Sequence, residues 1–298
     1  MKLPMLMLWA SLMAFGAPAL AASTHASASP LGAAFSSDPE LEKGYALLYQ
    51  QKFPQAREVF EKWIAQNPSE PFGQVSLAAS YLFEEFFLQH VLSSDYFLDD
   101  KRFLGGIKGT PDPERMKGFQ DSVTEARRLA FQLLKSSPRD PEGLYTLTLC
   151  AGMQSDADSM LLKHHVDALK HLKEANSNAE LLLRDHPEAY DAYVAPGVAF
   201  YVIGSLPASA RFLLWFGGIH GDKRLGMSEV QKTADSGHYL KPFAKILLAL
   251  SARREKMNDV AQKNLRELTQ EFPGNPVYET EYAKAMGLPI PATIGPAN

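Results

Sequence analysis

Three histidines stand close together in the chain, His164, His165 and His171. Clustered imidazoles are a common way for a helix to hold a transition metal. On a predicted helix, steps of one, six and seven residues place only His164 and His171 on a common face. No HExxH or CxxC spacing accompanies them, and no carboxylate cluster stands beside them, so surface histidines on a polar helix are expected and no metal. Gly217-Gly218-Ile219-His220-Gly221 has the glycines of a phosphate cradle, without the lysine and serine of a P-loop and without a preceding strand. It reads as a helix connection. Ser205 and Ser236 have no nucleophile-elbow context. Cys150, flanked by Leu147, Thr148 and Leu149, reads as a buried thiol acting as a small apolar residue. As the only cysteine it excludes an internal disulfide. With no acid, base and nucleophile constellation, the chain is expected to be no enzyme, with no catalytic residue and no cofactor.

The elements that would carry any site repeat one pattern. Four times a helix-like stretch runs into a proline and a second turn signal follows: at Pro68 and Pro71, at Pro138 and Pro141, at Pro187 and Glu188, and at Pro273 and Pro276. Upstream of each, at one offset, lies an alanine: Ala56, Ala126, Ala175 and Ala261. A proline that ends one helix, followed by one at the first position of the next, uses the two sites where a missing N–H does least harm. Small residues at Gly44 and Ala56 would let antiparallel helices approach, with Phe53 and Phe60 filling the space between hairpins. Self-similarity of this kind marks an array of supersecondary units.

Gly44, Phe53, Ala56, Phe60 and Pro68 fall where the tetratricopeptide consensus has its glycine, second aromatic, alanine, third aromatic and closing proline. After Pro187, Tyr193, Gly197 and Phe200 repeat that spacing. The chain therefore resembles a tetratricopeptide repeat protein with degenerate repeats. Ala130 and Ala179 replace expected aromatics, and the proline-to-proline distances drift from one 34-residue period. The stretch around Gly221-Asp222 to Gly226 is similar to a broader family of secreted bacterial members of this fold, and loosely to the eukaryotic inclusion-body clearance group. Gly105-Gly106, Gly109 and Pro111-Asp112-Pro113 break the pattern and read as a loop insertion at about 93–112. The resemblance implies an all-α, tetratricopeptide-like α-solenoid of antiparallel hairpins forming a superhelix over 38–287. It further implies that Tyr45 and Leu48, Phe72 and Val75, Glu142 and Tyr145, and Asp191, Val194 and Tyr201 face the concave side.

Lys2, the apolar run Leu3 to Phe15 and Ala17-Pro18-Ala19-Leu20-Ala21 read as a secretory signal peptide over 1–21, cleaved after Ala21. A disordered lead-in over 22–37 and a proline-rich tail over 288–298 are expected to flank the array. Removing the leader leaves 29 basic residues against 34 acidic, a balance of about −5 that argues against nucleic acid. No later stretch is apolar enough to span a bilayer. A periplasmic or secreted, non-enzymatic interaction scaffold is expected, with a protein or peptide partner contacting Tyr45, Phe72, Glu142, Tyr145, Asp191 and Tyr201. The alternative is a periplasmic α-solenoid around an apolar small molecule or lipid, associated with a transporter.

Overall fold

In the computed structural model the described residues are 35–209, 211–212 and 220–290, with the side chains of 100, 103 and 104 set aside. They contain helices and turns and no strand. The expected leader, most of the lead-in, the tail beyond residue 290 and the apolar part of the 213–219 segment lie outside them.

The prolines do what their spacing predicts. Helix α2 (Phe53–Gln66) stops before Pro68, and α3 (Pro71–Leu88) begins at Pro71. Likewise α6 (Pro113–Ser136) gives way to α7 (Pro141–Asp156), and α12 (Asn258–Glu271) to α13 (Pro276–Met286). Side-chain caps complete these starts: Asp140 accepts from the Gly143 amide, and Asn275 from those of Val277 and Tyr278. Asp38 caps α1 (Pro39–Tyr49) and also accepts from Trp63 Nε1 at 2.9 Å. Asp222 caps α10 (Lys223–Ser236), as its position after Gly221 predicts.

Each long helix packs on the next, and the small residues sit at the contacts. Ala56, Ala126, Ala175 and Ala261 are all essentially without solvent exposure. A Cβ on Gly44 would meet the ring of Phe60, and one on Gly226 would lie 2.6 Å from the Gly197 carbonyl of α9 (Val194–Ser205). Ala130 and Ala179 are fully buried too, so the missing aromatics leave close helix contacts, not surface. Tyr193 lies in a 3-10 turn (Tyr190–Tyr193) ahead of α9, partly exposed, with the ammonium of Lys232 4.2 Å from its ring centre.

Three expectations are corrected. The 93–112 insertion carries two short helices, α4 (Ser94–Leu98) and α5 (Asp100–Gly105), and it is strapped down. Arg254 donates to the Phe97 carbonyl at 2.7 Å, Lys284 pairs with Asp95 at 2.8 Å, and the Ile107 amide donates to Met160 O at 2.9 Å. Beneath its end, buried Glu85 pairs with Arg115 at 2.8 Å and accepts from the Asp112 amide. Its glycines and prolines signalled irregularity, but side-chain anchors from distant helices give it order. Second, the predicted helix carrying His164, His165 and His171 does not hold all three. Helix α7 runs on into a π-helical turn (Ala157–Leu162), Lys163 takes a left-handed conformation at φ 61°, and α8 (His165–Asp185) starts afresh. Third, the lead-in is partly docked: the Phe35 ring lies 4.8 Å from Tyr145.

The series closes on its own beginning. Asn275 Nδ2 donates to the Tyr49 carbonyl at 2.8 Å, and the Tyr49 hydroxyl to the Tyr239 carbonyl at 2.9 Å. Tyr239 precedes α11 (Lys241–Arg254), and its ring lies 4.8 Å from that of Tyr45. Thus α1 is gripped by turns that come some two hundred residues later, and what the repeats enclose becomes interior. Among the described residues no helix is long and apolar enough to cross a membrane.

Candidate functional site

The inward-facing positions of α1, α3, α7 and α9 split into two layers. At the first turns of these helices the side chains fill the interior. Phe72 sits 6.0 Å from Tyr45, 5.9 Å from Tyr145 and 5.1 Å from Tyr239. Tyr145 is wholly buried, with no partner for its hydroxyl, whereas Tyr45 receives a hydrogen bond from Ser76 Oγ at 3.1 Å. Burial lifts both phenols well above their ordinary range.

The acids of this layer are structural. Asp191 accepts the amides of His238 at 2.7 Å and Tyr239 at 2.9 Å, tying α9 to the turn before α11. Burial raises its carboxyl, and those amides offset part of the rise. Glu142 faces Glu70 across the first turns of α7 and α3, and its Oε1 is buried without a hydrogen-bond donor. Burial first, and the Glu70 charge second, push its carboxyl to about 8, so a proton held between the two carboxyls satisfies both.

One turn further along the same helices the filling stops. A cavity of about 240 Å³ opens there, lined by α1, α3, α7 with its π-helical turn, α8, α9, α10, α11 and the insertion. Leu82, Phe86, Met153, Val198, Phe243 and Leu250 typify its wall. A smaller apolar pocket of about 60 Å³ shares Phe83, Leu92, Phe243 and Ile246 with it. The larger volume, about 240 Å³, is far above what a water needs and approaches the range of small-molecule sites. Gly152 of α7 faces this space, and a Cβ built there meets nothing within 4 Å.

Polar groups on the wall are few. Arg254 is engaged by the Phe97 carbonyl, and Tyr201 donates to Glu255 at 3.2 Å, beside the Lys223–Glu255 pair at 2.8 Å. Asp156 differs. It lines the cavity with intermediate exposure at the point where α7 becomes π-helical, and no hydrogen bond or ion pair of the described residues reaches its carboxyl. Burial alone lifts it to about 7.

Of the positions the resemblance sets on the concave side, Tyr45, Leu48, Val75, Asp191, Val194 and Tyr201 line this cavity. Yet Tyr45, Phe72, Glu142, Tyr145 and Asp191 are buried, so they form no open concave surface for a protein partner. Only Tyr201 among those six keeps intermediate exposure. The missed residues are Gly152, Asp156 and Ser159. Leu149, Gly152, Met153, Asp156 and Met160 recur at helical spacing, and an acid interrupting that stripe was the available signal.

Elsewhere the chemistry-bearing residues serve the fold. His171 Nδ1 lies 2.9 Å and His164 Nδ1 3.4 Å from Asp158, a carboxylate partner the sequence reading missed, while His165 is exposed. Among the described residues no three His, Cys, Asp or Glu side chains are placed to hold a metal ion. Ser205 Oγ donates back to the Tyr201 carbonyl at 2.8 Å. Cys150 is fully buried, and burial pushes its thiol to about 12. Comparison with family models, with curated proteins and with solved structures finds no match.

Proposed function

We propose that this protein is a non-enzymatic binding protein that encloses an apolar small molecule or a lipid chain within a tetratricopeptide-like array of helices, after export behind a cleaved leader. The observation that carries this reading is the cavity of about 240 Å³ with its aliphatic and aromatic wall. Interiors otherwise pack to near-crystalline density, and an unfilled space of this size lined by apolar groups forfeits dispersion contacts. An apolar ligand restores them. A protein or peptide partner, the reading the sequence puts first, would have to seat on the outer surface, because the inward positions are enclosed. Denaturing solvent extraction of protein purified from its source cells, followed by mass spectrometry, tests the proposal. One apolar species near molar equivalence supports it. It fails if nothing is released and the extracted, refolded protein shows no saturable binding of Nile red.

A further inference from the structure

The wall of the cavity is not electrically neutral, and the imbalance has one sign. Of its charged members, Asp191 has both oxygens occupied by the His238 and Tyr239 amides, and Arg254 is held by the Phe97 carbonyl. Asp156 has neither a donor nor a counter-ion among the described residues. Ser159, three residues on and also lining the cavity, makes no hydrogen bond with its hydroxyl among them. Both residues line the same space, so they bring a carboxyl and a hydroxyl to a largely apolar wall. The backbone there is π-helical, a rare form that recurs at functional sites, and the insertion is fastened to it through the Ile107–Met160 hydrogen bond.

Resting on the ligand-binding reading above, we propose that the occupant is an amphipathic amine. Its apolar body lies among Leu82, Phe86, Met153, Val198 and Phe243, and its ammonium donates to the carboxylate of Asp156, with Ser159 Oγ as a second acceptor. Asp156 keeps intermediate exposure at the cavity wall; a carboxylate without a partner beside apolar surroundings is disfavoured, and an ammonium brought to it relieves that penalty. A fatty acid would instead set a second carboxylate against the first. A neutral alcohol would fill the chamber and leave the charge uncompensated.

The guanidinium on the wall, Arg254, donates to the Phe97 carbonyl and forms no ion pair with Asp156, and the other neighbouring ionisable groups supply no cation to it either. On the cavity wall Tyr45, Tyr49 and Tyr201 are phenols held protonated by burial. On the π-turn and α8, Asp158 faces His164 and His171, and Glu174 pairs with Arg127 of α6 at 2.7 Å. On α3, Glu84 and Glu85 are paired with Arg57 and Arg115. On α5, Arg102 faces Asp99 at 3.7 Å, Lys101 is exposed, and Lys163 is exposed before α8. None of these shifts Asp156, whose rise comes from burial alone.

Three chain-matched probes decide the matter: dodecylamine, dodecanol and dodecanoate, each displacing Nile red from the solvent-extracted full protein. At pH 8 dodecylamine is expected to bind about tenfold or more tightly than the other two, a difference of about 1.4 kcal/mol. The advantage should shrink as pH falls from 8 to 6 and Asp156 takes up a proton. Asp156→Asn should bring the amine to within about twofold of the alcohol, by weakening the amine. Equal binding of amine and alcohol by the unaltered protein at pH 8 overturns the amine assignment while the cavity reading stands. An amine preference that persists in Asp156→Asn also overturns it, and failure of all three probes removes the cavity reading itself. Should the variant not fold, the probe comparison and pH profile of the unaltered protein still decide.

Discussion

Gly152→Leu fills the chamber from within its own wall, and the outcome distinguishes a true cavity from a packed interior. The position is mid-helix in α7, and an added Cβ meets no atom within 4 Å. Two contributions favour the variant. Replacing a helix-interior glycine by leucine gains about 0.8 kcal/mol of propensity. A fully buried leucine side chain adds about 1.5–3 kcal/mol over an exposed one. Here it touches one wall of a 240 Å³ space, so roughly half of that is realised. The ligand-free protein should therefore gain about 1.5–2.5 kcal/mol, a rise in Tm of roughly 3–10 °C for a domain of this size. Nile red affinity should meanwhile fall at least tenfold, because the leucine occupies ligand volume. Differential scanning calorimetry of extracted protein and a fluorescence titration read the two effects separately. A fall in Tm of several degrees would mean that the site is already full and that leucine overpacks it. Nile red binding unchanged in affinity and stoichiometry would place the ligand elsewhere.

Ala56→Leu should cost about 1–3 kcal/mol by overpacking a fully buried contact between Phe53 and Phe60, and an unchanged melting temperature would refute the helix register. Glu142, raised to about 8 in the folded protein from an ordinary 4.5, contributes stability at low pH that is lost as pH climbs through 8. Glu142→Gln should thus match the parent at pH 4 and exceed it by on the order of 2 kcal/mol at pH 9, as urea melts at both values would show. Asn275→Ala removes the α13 cap and the bond to the Tyr49 carbonyl, so a loss of about 2 kcal/mol in chemical denaturation is expected. A loss below about half a kcal/mol would mean that the closure does not rest on that side chain.

The helices were legible because their punctuation is local. Pro71, Pro141 and Pro276 start helices for the same reason wherever they occur: the ring presets φ and the first turn needs no N–H. Asp222 caps α10 through amides two and three residues away, an interaction written within a few positions of sequence. Small residues at Gly44 and Ala56, opposite Phe60, likewise disclosed which faces meet. Tyr45, Val75 and Tyr201, which the tetratricopeptide resemblance sets on the concave side, line the cavity.

Tertiary structure decided what those inward faces enclose. No spacing rule predicts that the Asn275 amide reaches the Tyr49 carbonyl, or that Tyr239 stacks on Tyr45, since both depend on small rotations accumulated from helix to helix. Closure turned an expected open surface into interior, buried Phe72 and Tyr145, and made a structural acid of Asp191. The cavity is further from the sequence still. Volume left over among many side chains is a difference between large packed quantities, and a single residue such as Gly152 can set its sign. Asp156 shows the same limit: its type was plain in the chain, but whether a carboxyl is solvated, paired or left alone depends on every element that surrounds it.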